Sequence, residues 1–499
     1  MIRQVLGGLL SGVLLILAFP PFNLEFIAWF AFVPLFLALG RPSCRRPFLC
    51  AYTAGLVFWL GTIYWLMYVT VAGTIVLCFY LALYFGLFGR LIAAARVKSL
   101  PGPAVVFFAG ALWVCLEYLR SYLLTGFPWA LLGYSQYLHL PVLQIADSAG
   151  TWGVSFIVML VNAGIAVYIR QRRLKVLLIC LLAVAAVHAY GYWRLAQNAG
   201  GIQQSSLKVA VVQGNIPQEM KWDRSARTFI LQKYLDLSGQ AAAGKPDLIV
   251  WPEAAFPFPG VETGDPGFCA YIRSIVDPLG VPLLLGAVTA AGEHYYNSAL
   301  LYTPGQASAQ HYEKIHLVPF GEYIPLRRVL PFLDTIVPIG DVSRGSVYTL
   351  FKLAPAGGPA VFSVLICFED VFPELSRRFV LEGAQFLVTI TNDAWYGHTA
   401  AADQHLAASV LRAVENRVWV VRCANTGISG FIRTSGQAVA LVRDEAGKDI
   451  FVDGVLAGEV PLRAGPGTLY ARWGDVFVLL CILGVFAGLA CAGRVVKNP

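Results

Sequence analysis

Charge is scarce in this chain. Asp, Glu, Lys and Arg make up 13% of the 499 residues, 57% are hydrophobic, and the mean hydropathy is +0.64. A soluble chain carries about 25% charged residues, so the shortfall excludes an ordinary soluble enzyme and points to a membrane protein. Metal-ligand patterns are missing as well: ten cysteines and seven histidines form no CxxC pair and no Cys/His cluster of the kind that holds zinc. Most of the cysteines lie in or beside apolar runs, where a thiol packs as a small hydrophobe. Cys269, Cys367 and Cys423 fall in the polar part of the chain, too few for a disulfide framework and enough for one bridge. Internal repeats, acidic tails and low-complexity tracts are absent, and no pattern calls for a metal or an organic cofactor. The formal net charge of +8 would suit a nucleic-acid binder. Many of the basic residues, however, sit at the ends of apolar runs, where they act as topology determinants, so no nucleic-acid partner is expected.

A helix needs roughly 20 apolar residues to cross the hydrocarbon core. Candidate spans are residues 5–19, 24–40, 48–69, 71–90, 103–122, 152–169, 174–192 and 473–493. The first lacks a small-x-small cleavage site before Pro20-Pro21 and is followed at once by another apolar run, so it reads as a retained helix and not a signal peptide. Arg3, the group Arg41, Arg45 and Arg46, the group Arg90, Arg96 and Lys98, the group Arg170, Arg172, Arg173 and Lys175, and finally Arg494 and Lys497 mark alternate connections. The other connections are nearly bare of Lys and Arg. That alternation predicts both termini on the cytoplasmic side and the long segment from Arg194 to Arg472 outside. Glu117 and Arg120, near the end of the fifth span, read equally as an interfacial ion pair and as functional groups.

From about residue 205 to 470 the texture changes. Val/Ile/Leu-rich runs bounded by Gly, Pro, Asn and Asp predict strands at 207–213, 248–251, 283–288, 298–302, 361–366, 386–391, 418–422, 430–433 and 438–442. Helical stretches at about 225–242, 266–278, 370–382 and 403–416 lie among them, which argues for an α/β domain with buried sheets. The expected organisation is a seven-helix membrane bundle over 1–193, an extracytoplasmic α/β domain over 205–470 and a C-terminal membrane helix over 473–493. Linkers are expected near 197–206 and 461–471.

Three polar residues stand at the edges of apolar strands, where rigid backbone holds a side chain facing a cleft. Cys367 ends the run Val361-Phe362-Ser363-Val364-Leu365-Ile366, and Phe368 to Leu375 reads as the start of a helix, whose N-terminus would favour the thiolate. Glu253 follows Trp251-Pro252 and, with Phe256 close by, is a partly desolvated candidate base. Lys314 is placed to hold a developing oxyanion by charge. Taken singly, each has a bland alternative: a structural thiol, a surface carboxylate, a solvated lysine.

Together they carry more. Trp251-Pro252-Glu253, Lys314 followed by Pro319-Phe320-Gly321-Glu322, and Cys367-Phe368-Glu369 resemble the nitrilase (carbon–nitrogen hydrolase) superfamily, whose Glu, Lys and Cys come in that chain order. Val212-Gln213-Gly214-Asn215-Ile216-Pro217, then Lys221-Trp222-Asp223, then Thr391-Asn392-Asp393-Ala394-Trp395-Tyr396-Gly397 are similar to the apolipoprotein N-acyltransferases within it. So is the arrangement of seven N-terminal spans and one C-terminal span. One departure is Phe368, where that family often has Tyr; the main-chain N–H at this position is unaffected, but a role for a phenol hydroxyl there is lost.

The resemblance implies an αββα sandwich on eight membrane helices, in a bacterial inner membrane with the catalytic domain periplasmic. It implies a catalytic set of Glu253, Lys314 and Cys367 and a two-step reaction with no cofactor. Cys367 takes an acyl chain from a membrane glycerophospholipid as a thioester, and the α-amino group of a lipoprotein's N-terminal diacylglyceryl-cysteine then accepts it. Glu322 would orient Lys314 or act as an accessory carboxylate, the Phe368 N–H would serve the oxyanion, and Glu369 would support Cys367 or the substrate amine. Trp222, Phe320, Tyr323, Trp395 and Tyr396 are candidates for lipid contact, since aromatic side chains suit the membrane interface. Two other readings compete: a membrane-anchored amidase using water as acceptor, and a non-enzymatic lipid-binding or transport protein. Eight spans are surplus for a mere anchor, and an intact catalytic set argues against a degenerate domain.

Overall fold

The computed structural model describes residues 2–41, 44–97, 102–199, 205–323, 342–355, 358–463 and 467–494. Two compact units divide the chain. The first comprises Met1–Gly200, Thr399–Ala407 and Thr468–Pro499, the second Gly201–His398 and Ala408–Gly467. All ten cysteines are free thiols.

The first unit is helical. Val71–Ala95, Gly102–Thr125, Ala146–Gln171 and Leu174–Gln197 are, among the described residues, long and apolar enough to cross a membrane; Gln4–Ala18, Glu25–Leu39, Pro47–Thr62 and Val476–Cys491 are shorter apolar stretches. Helix Ile2–Ala18 lies against Pro47–Thr62, and glycine lets them meet: a Cβ on Gly8 would stand 2.2 Å from the Cys50 carbonyl oxygen.

The expected span 24–40 is not one continuous helix. It is a 3-10 turn at Glu25–Trp29 followed by a separate helix at Val33–Leu39, with Pro34 in its first turn. Proline suits a helix start, having no N–H to leave unpaired. Asn162 mends the break, accepting from the Phe32 N–H at 2.8 Å and donating to the Ala28 carbonyl at 2.8 Å. Of the flanking basic residues, Lys98 and Lys497 lie outside the described residues, as do the side chains of Arg3, Arg96 and Arg494.

Glu117 and Arg120 are buried loop anchors. Arg120 donates to the carbonyls of Phe127 and Trp129, its guanidinium 4.8 Å over the Trp59 ring, and Glu117 accepts from the Leu132 N–H at 2.6 Å. Gln404, in the Thr399–Ala407 segment of the same unit, is fully engaged. Its Oε1 accepts from Trp65 at 3.0 Å and Trp129 at 2.8 Å, and its Nε2 donates to the Pro20 and Thr62 carbonyls at 3.2 and 2.9 Å. A buried amide so satisfied carries little desolvation cost.

The second unit holds two sheets. In the first, β1 (Ser206–Gln213), β2 (Leu248–Val250) and β4 (Leu283–Ala291) are parallel neighbours. The antiparallel β13 (Gly454–Pro461) flanks β1, and β5 (His294–Tyr302) and β6 (Gln310–Glu313) continue beyond β4. A short β3 (Val261–Glu262) pairs with β4. The second sheet repeats the plan: β8 (Ala360–Ile366), β9 (Phe386–Thr391) and β10 (Trp419–Ala424) are parallel. β7 (Phe351–Leu353) lies antiparallel beside β8, and β11 (Gly430–Ile432) and β12 (Ala438–Leu441) lie beyond β10.

The sheets face each other: the Cys423 thiol of β10 donates to the carbonyls of Val212 at 3.4 Å and Val250 at 3.2 Å on the opposite sheet. Helices Arg227–Ala243 and Pro266–Leu279 cover the first sheet, packing Ile230, Tyr234, Ile272 and Val276 on Ile249, Trp251, Leu283 and Leu285. Helix Pro373–Glu382 packs on β8. This is the α/β sandwich the sequence predicts. The segment expected as a linker at 461–471 instead closes β13 at Pro461 and opens a short helix at Leu469–Trp473. Residues 200–204 and 464–466 of the expected linkers lie outside the described residues.

Candidate active site

In open parallel sheets, functional groups gather beyond the carboxyl ends of the strands. Here Glu253 follows β2, Cys367 follows β8 and Asn392 follows β9, so the strands set where each chain segment turns. The turn at Glu253 rests on β4. A Cβ on Gly286 would stand 2.4 Å from the Pro252 carbonyl oxygen, 2.6 Å from the Ala254 nitrogen and 2.7 Å from the Glu253 Cα. Only glycine permits that approach.

Glu253 is buried and held on both carboxylate oxygens. Oε1 accepts from Asn297 Nδ2 at 2.8 Å, with Lys314 Nζ at 3.7 Å, and Oε2 accepts from the Asn392 N–H at 2.8 Å. Lys314 is 1% exposed. Its ammonium lies 3.0 and 2.9 Å from the two oxygens of Glu322. Burial opposes its charge, but Glu322, then Glu253 and the charge Cys367 can carry, outweigh burial and hold Lys314 protonated beyond the ordinary lysine range. Glu322 also accepts from Asn297 at 2.9 Å and from the Val318 N–H at 2.8 Å.

Cys367 is buried, with φ at +53°, a backbone conformation costing a non-glycine residue roughly 1–2 kcal/mol. The expected helix N-terminus behind it is a five-residue 3-10 turn, Cys367–Val371, and the α-helix begins only at Pro373. The thiol is not held as a thiolate at rest. Burial first, then the charge of Glu253, push its proton affinity far up; Lys314 opposes, Asp393 adds to the rise, and a hydrogen bond with Thr391 eases it. For this sulfur to act as a nucleophile, a base would have to take its proton.

Glu369 is completely buried and engaged. Oε1 accepts from the Tyr312 hydroxyl at 2.8 Å and the N–H groups of Ile315 at 2.7 Å and His316 at 3.0 Å; Oε2 accepts from the Ile366 N–H at 2.8 Å. It ties the Cys367 turn to the Lys314 loop and has no exposed edge for a substrate amine. Phe368 is buried, its ring 5.2 Å from Phe372 and 6.1 Å from His316. Of the aromatic candidates, Trp222, Phe320 and Trp395 are exposed and Tyr323 and Tyr396 half-buried. Burial, then the charges of Cys367, Asp393, Glu253 and Glu322, keep the Tyr396 phenol protonated well above its usual range.

Asn297, Lys221 and the Asp370–Arg422–Asp393 cluster escape the sequence reading as functional groups. Asn297 carries one signal, an amide just ahead of the Ala299–Tyr302 run of β5. Lys221 lies in a motif noted above, but nothing in the sequence announces its burial. Arg422 lies 3.3 Å from Asp370 and 3.2 Å from Asp393. Cys423, another buried thiol of this unit, is sealed between the sheets, where burial pushes its proton affinity far up.

A two-sheet sandwich that sets a carboxylate and a thiol beyond its parallel strands, with an ammonium just past the antiparallel β6, defines the carbon–nitrogen hydrolase class. The Carbon-nitrogen hydrolase family model matches residues 208–449, and the model of the Apolipoprotein N-acyltransferase N-terminal domain matches residues 11–164. An apolipoprotein N-acyltransferase of Geobacter metallireducens is 40% identical over 519 residues, which cover 99% of this chain and 96% of that protein. One of Methylococcus capsulatus is 34% identical over 491 residues, covering 95% and 93%. The chain belongs to the apolipoprotein N-acyltransferase family, and it is a membrane protein. An amidase from Nesterenkonia sp. AN1 aligns with 56% of this chain and 98% of its own at 18% identity, with a TM-score of 0.40.

Proposed function

We propose that the protein transfers an acyl chain from a membrane glycerophospholipid, through a thioester on Cys367, to the α-amino group of a lipoprotein's N-terminal diacylglyceryl-cysteine. The observation that carries this reading is the cluster of Glu253, Lys314 and Glu322, of which Glu253 and Lys314 act on the Cys367 thiol, in a chain whose full-length relatives bear the name apolipoprotein N-acyltransferase. Glu253 takes the thiol proton as sulfur attacks the ester carbonyl and passes it to the departing lysophospholipid oxygen. It then takes a proton from the incoming amine as nitrogen attacks the thioester, and the Cys367 sulfur leaves and is reprotonated. Lys314 and the Phe368 main-chain N–H stabilise the tetrahedral oxyanions; Glu322 orients Lys314, and Glu369 holds the nucleophile turn.

The eight apolar stretches serve as eight spans, with both termini cytoplasmic and the α/β domain on the periplasmic side of a bacterial inner membrane; the alternation of basic connections supports this topology. The exposed rings of Trp222, Phe320 and Trp395, with Tyr323 and Tyr396, meet lipid. Hydrolysis by an anchored amidase and passive lipid binding are both disfavoured, since relatives over the full length are named as transferases. Incubation with phospholipid should add one acyl mass to the protein, labile to hydroxylamine, and Cys367→Ser should abolish it. An adduct that persists in that variant overturns the reading, and release of free fatty acid without an amine acceptor supports a hydrolase.

A further inference from the structure

Lys221 and Trp222 adjoin in sequence and invert the usual pattern of burial: the tryptophan is 46% exposed and the lysine 6%. Lysine is almost never buried without a partner. Lys221 ends the short helix Gln218–Lys221, and its Nζ donates to the main-chain carbonyl of Glu253 at 2.9 Å. Among the described residues that is the one hydrogen bond its ammonium makes, although an ammonium has three donors. Glu219 and Asp223 on its own stretch are exposed; the ionisable groups that act on it are Glu253 and Cys367.

The charges around Cys367 explain why a cation is buried here. Glu253 and Glu322 share Lys314, and Asp370 and Asp393 share Arg422. Each cation faces two carboxylates, so each cluster is short of positive charge, and Glu253 and Asp393 both oppose negative charge at Cys367. We propose that Lys221 is a positioning residue for the transfer reaction. Its ammonium fixes the Glu253 main chain and supplies the positive charge that the Glu253–Lys314–Glu322 cluster lacks when negative charge develops at Cys367. The inference rests on Cys367 being the acylated residue. Burial, against the upward pull of Glu253 and Cys367, brings the Lys221 pKa down to about 8, so the charge is present at neutral pH and lost on the alkaline side.

The test uses the full chain in detergent, as wild type, Lys221→Arg and Lys221→Met. Alkylation of Cys367 by iodoacetamide is followed peptide by peptide in a mass spectrometer, and acylation by phospholipid is followed in parallel. Lys221→Met should alkylate about tenfold more slowly than wild type at neutral pH, the effect of about one pK unit at the thiol. Lys221→Arg should stay close to wild type. The wild-type acylation rate should fall above pH about 8, while Lys221→Arg, whose guanidinium stays charged, holds its rate beyond that pH. Equal alkylation in wild type and Lys221→Met, or the same alkaline fall in wild type and Lys221→Arg, overturns the role given to Lys221. A wild-type Cys367 that alkylates but takes no acyl group overturns the transfer reading, and the alkylation rates then decide the charge role separately.

Discussion

Asn297 Nδ2 stands 2.8 Å from Glu253 Oε1 and donates to it from β5, two strands over from β2. The same nitrogen lies 2.9 Å from Glu322 Oε1, so one neutral amide spans two carboxylates that would otherwise repel. A hydrogen bond to a charged group is worth about 1.5–3 kcal/mol. Asn297→Leu should therefore slow thioester formation on Cys367 by about 10- to 100-fold, read as the time course of the hydroxylamine-labile adduct. A rate unchanged from wild type would show that the amide plays no part.

Lys314 is the cation between Glu253 and Glu322. Lys314→Met leaves the buried Glu253 and the half-buried Glu322 without it, and breaking a buried pair from one side costs about 3–5 kcal/mol. Thermal unfolding should show the α/β domain destabilised, with no acyl adduct. Glu322→Gln, which removes one negative charge and keeps the shape, should lose less stability than Lys314→Met. The reverse order would contradict the electrostatic account.

Gly286→Ala places a Cβ against three backbone atoms of the Pro252–Ala254 turn. The turn must shift, and Glu253 shifts with it. Misplacing a reacting group by about 1 Å costs on the order of 100-fold in rate. The turnover of a synthetic diacylglyceryl-peptide acceptor should fall by that order, while the far-ultraviolet circular dichroism stays native.

The Cys367 thiol carries a sign that alkylation can read. Its proton affinity is raised, first by burial and then by Glu253, so the thiol stays neutral at pH values where an unfolded-chain cysteine, with a pKa of about 8.5, is half ionised. At pH 8.5, native Cys367 should react with iodoacetamide more than about tenfold slower than the same peptide in the denatured protein. Equal rates would place a resting thiolate at the site.

Glu369→Gln replaces an acceptor of four hydrogen bonds with an amide that has only one accepting oxygen. At least one buried N–H then faces a donor, a loss of about 1–3 kcal/mol. Thermal unfolding should shift downward and acylation should fall with it. A fully stable but inactive variant would instead argue that Glu369 meets substrate.

The nine strands expected from the sequence are all present, because strands of a buried sheet read as continuous Val/Ile/Leu runs. The strands that escaped notice were at edges or half exposed. β13 carries Gly454, Gly458, Glu459 and Pro461, and β6 is the polar Gln310–Glu313. Their pairing is set by neighbours far away in sequence, which a local pattern does not contain. The break at Phe30–Phe32 escaped for a related reason: hydropathy counts apolar side chains, and the partner that satisfies the opened backbone, Asn162, lies 130 residues away. That Glu253, Lys314 and Cys367 come together was legible because all three are ionisable residues set at strand ends. Asn297 and Lys221 were not, since an amide in a strand and a lysine beside a tryptophan are ordinary until their burial is seen.

The knot at Glu369 has a consequence for redesign. Because one carboxylate grips Ile366 on one segment and Tyr312, Ile315 and His316 on another, the two segments behave mechanically as a single cassette. Exchanging either stretch alone with that of a relative severs the grip and frees both. Swaps intended to alter donor preference have to carry residues 312–316 and 366–369 across together.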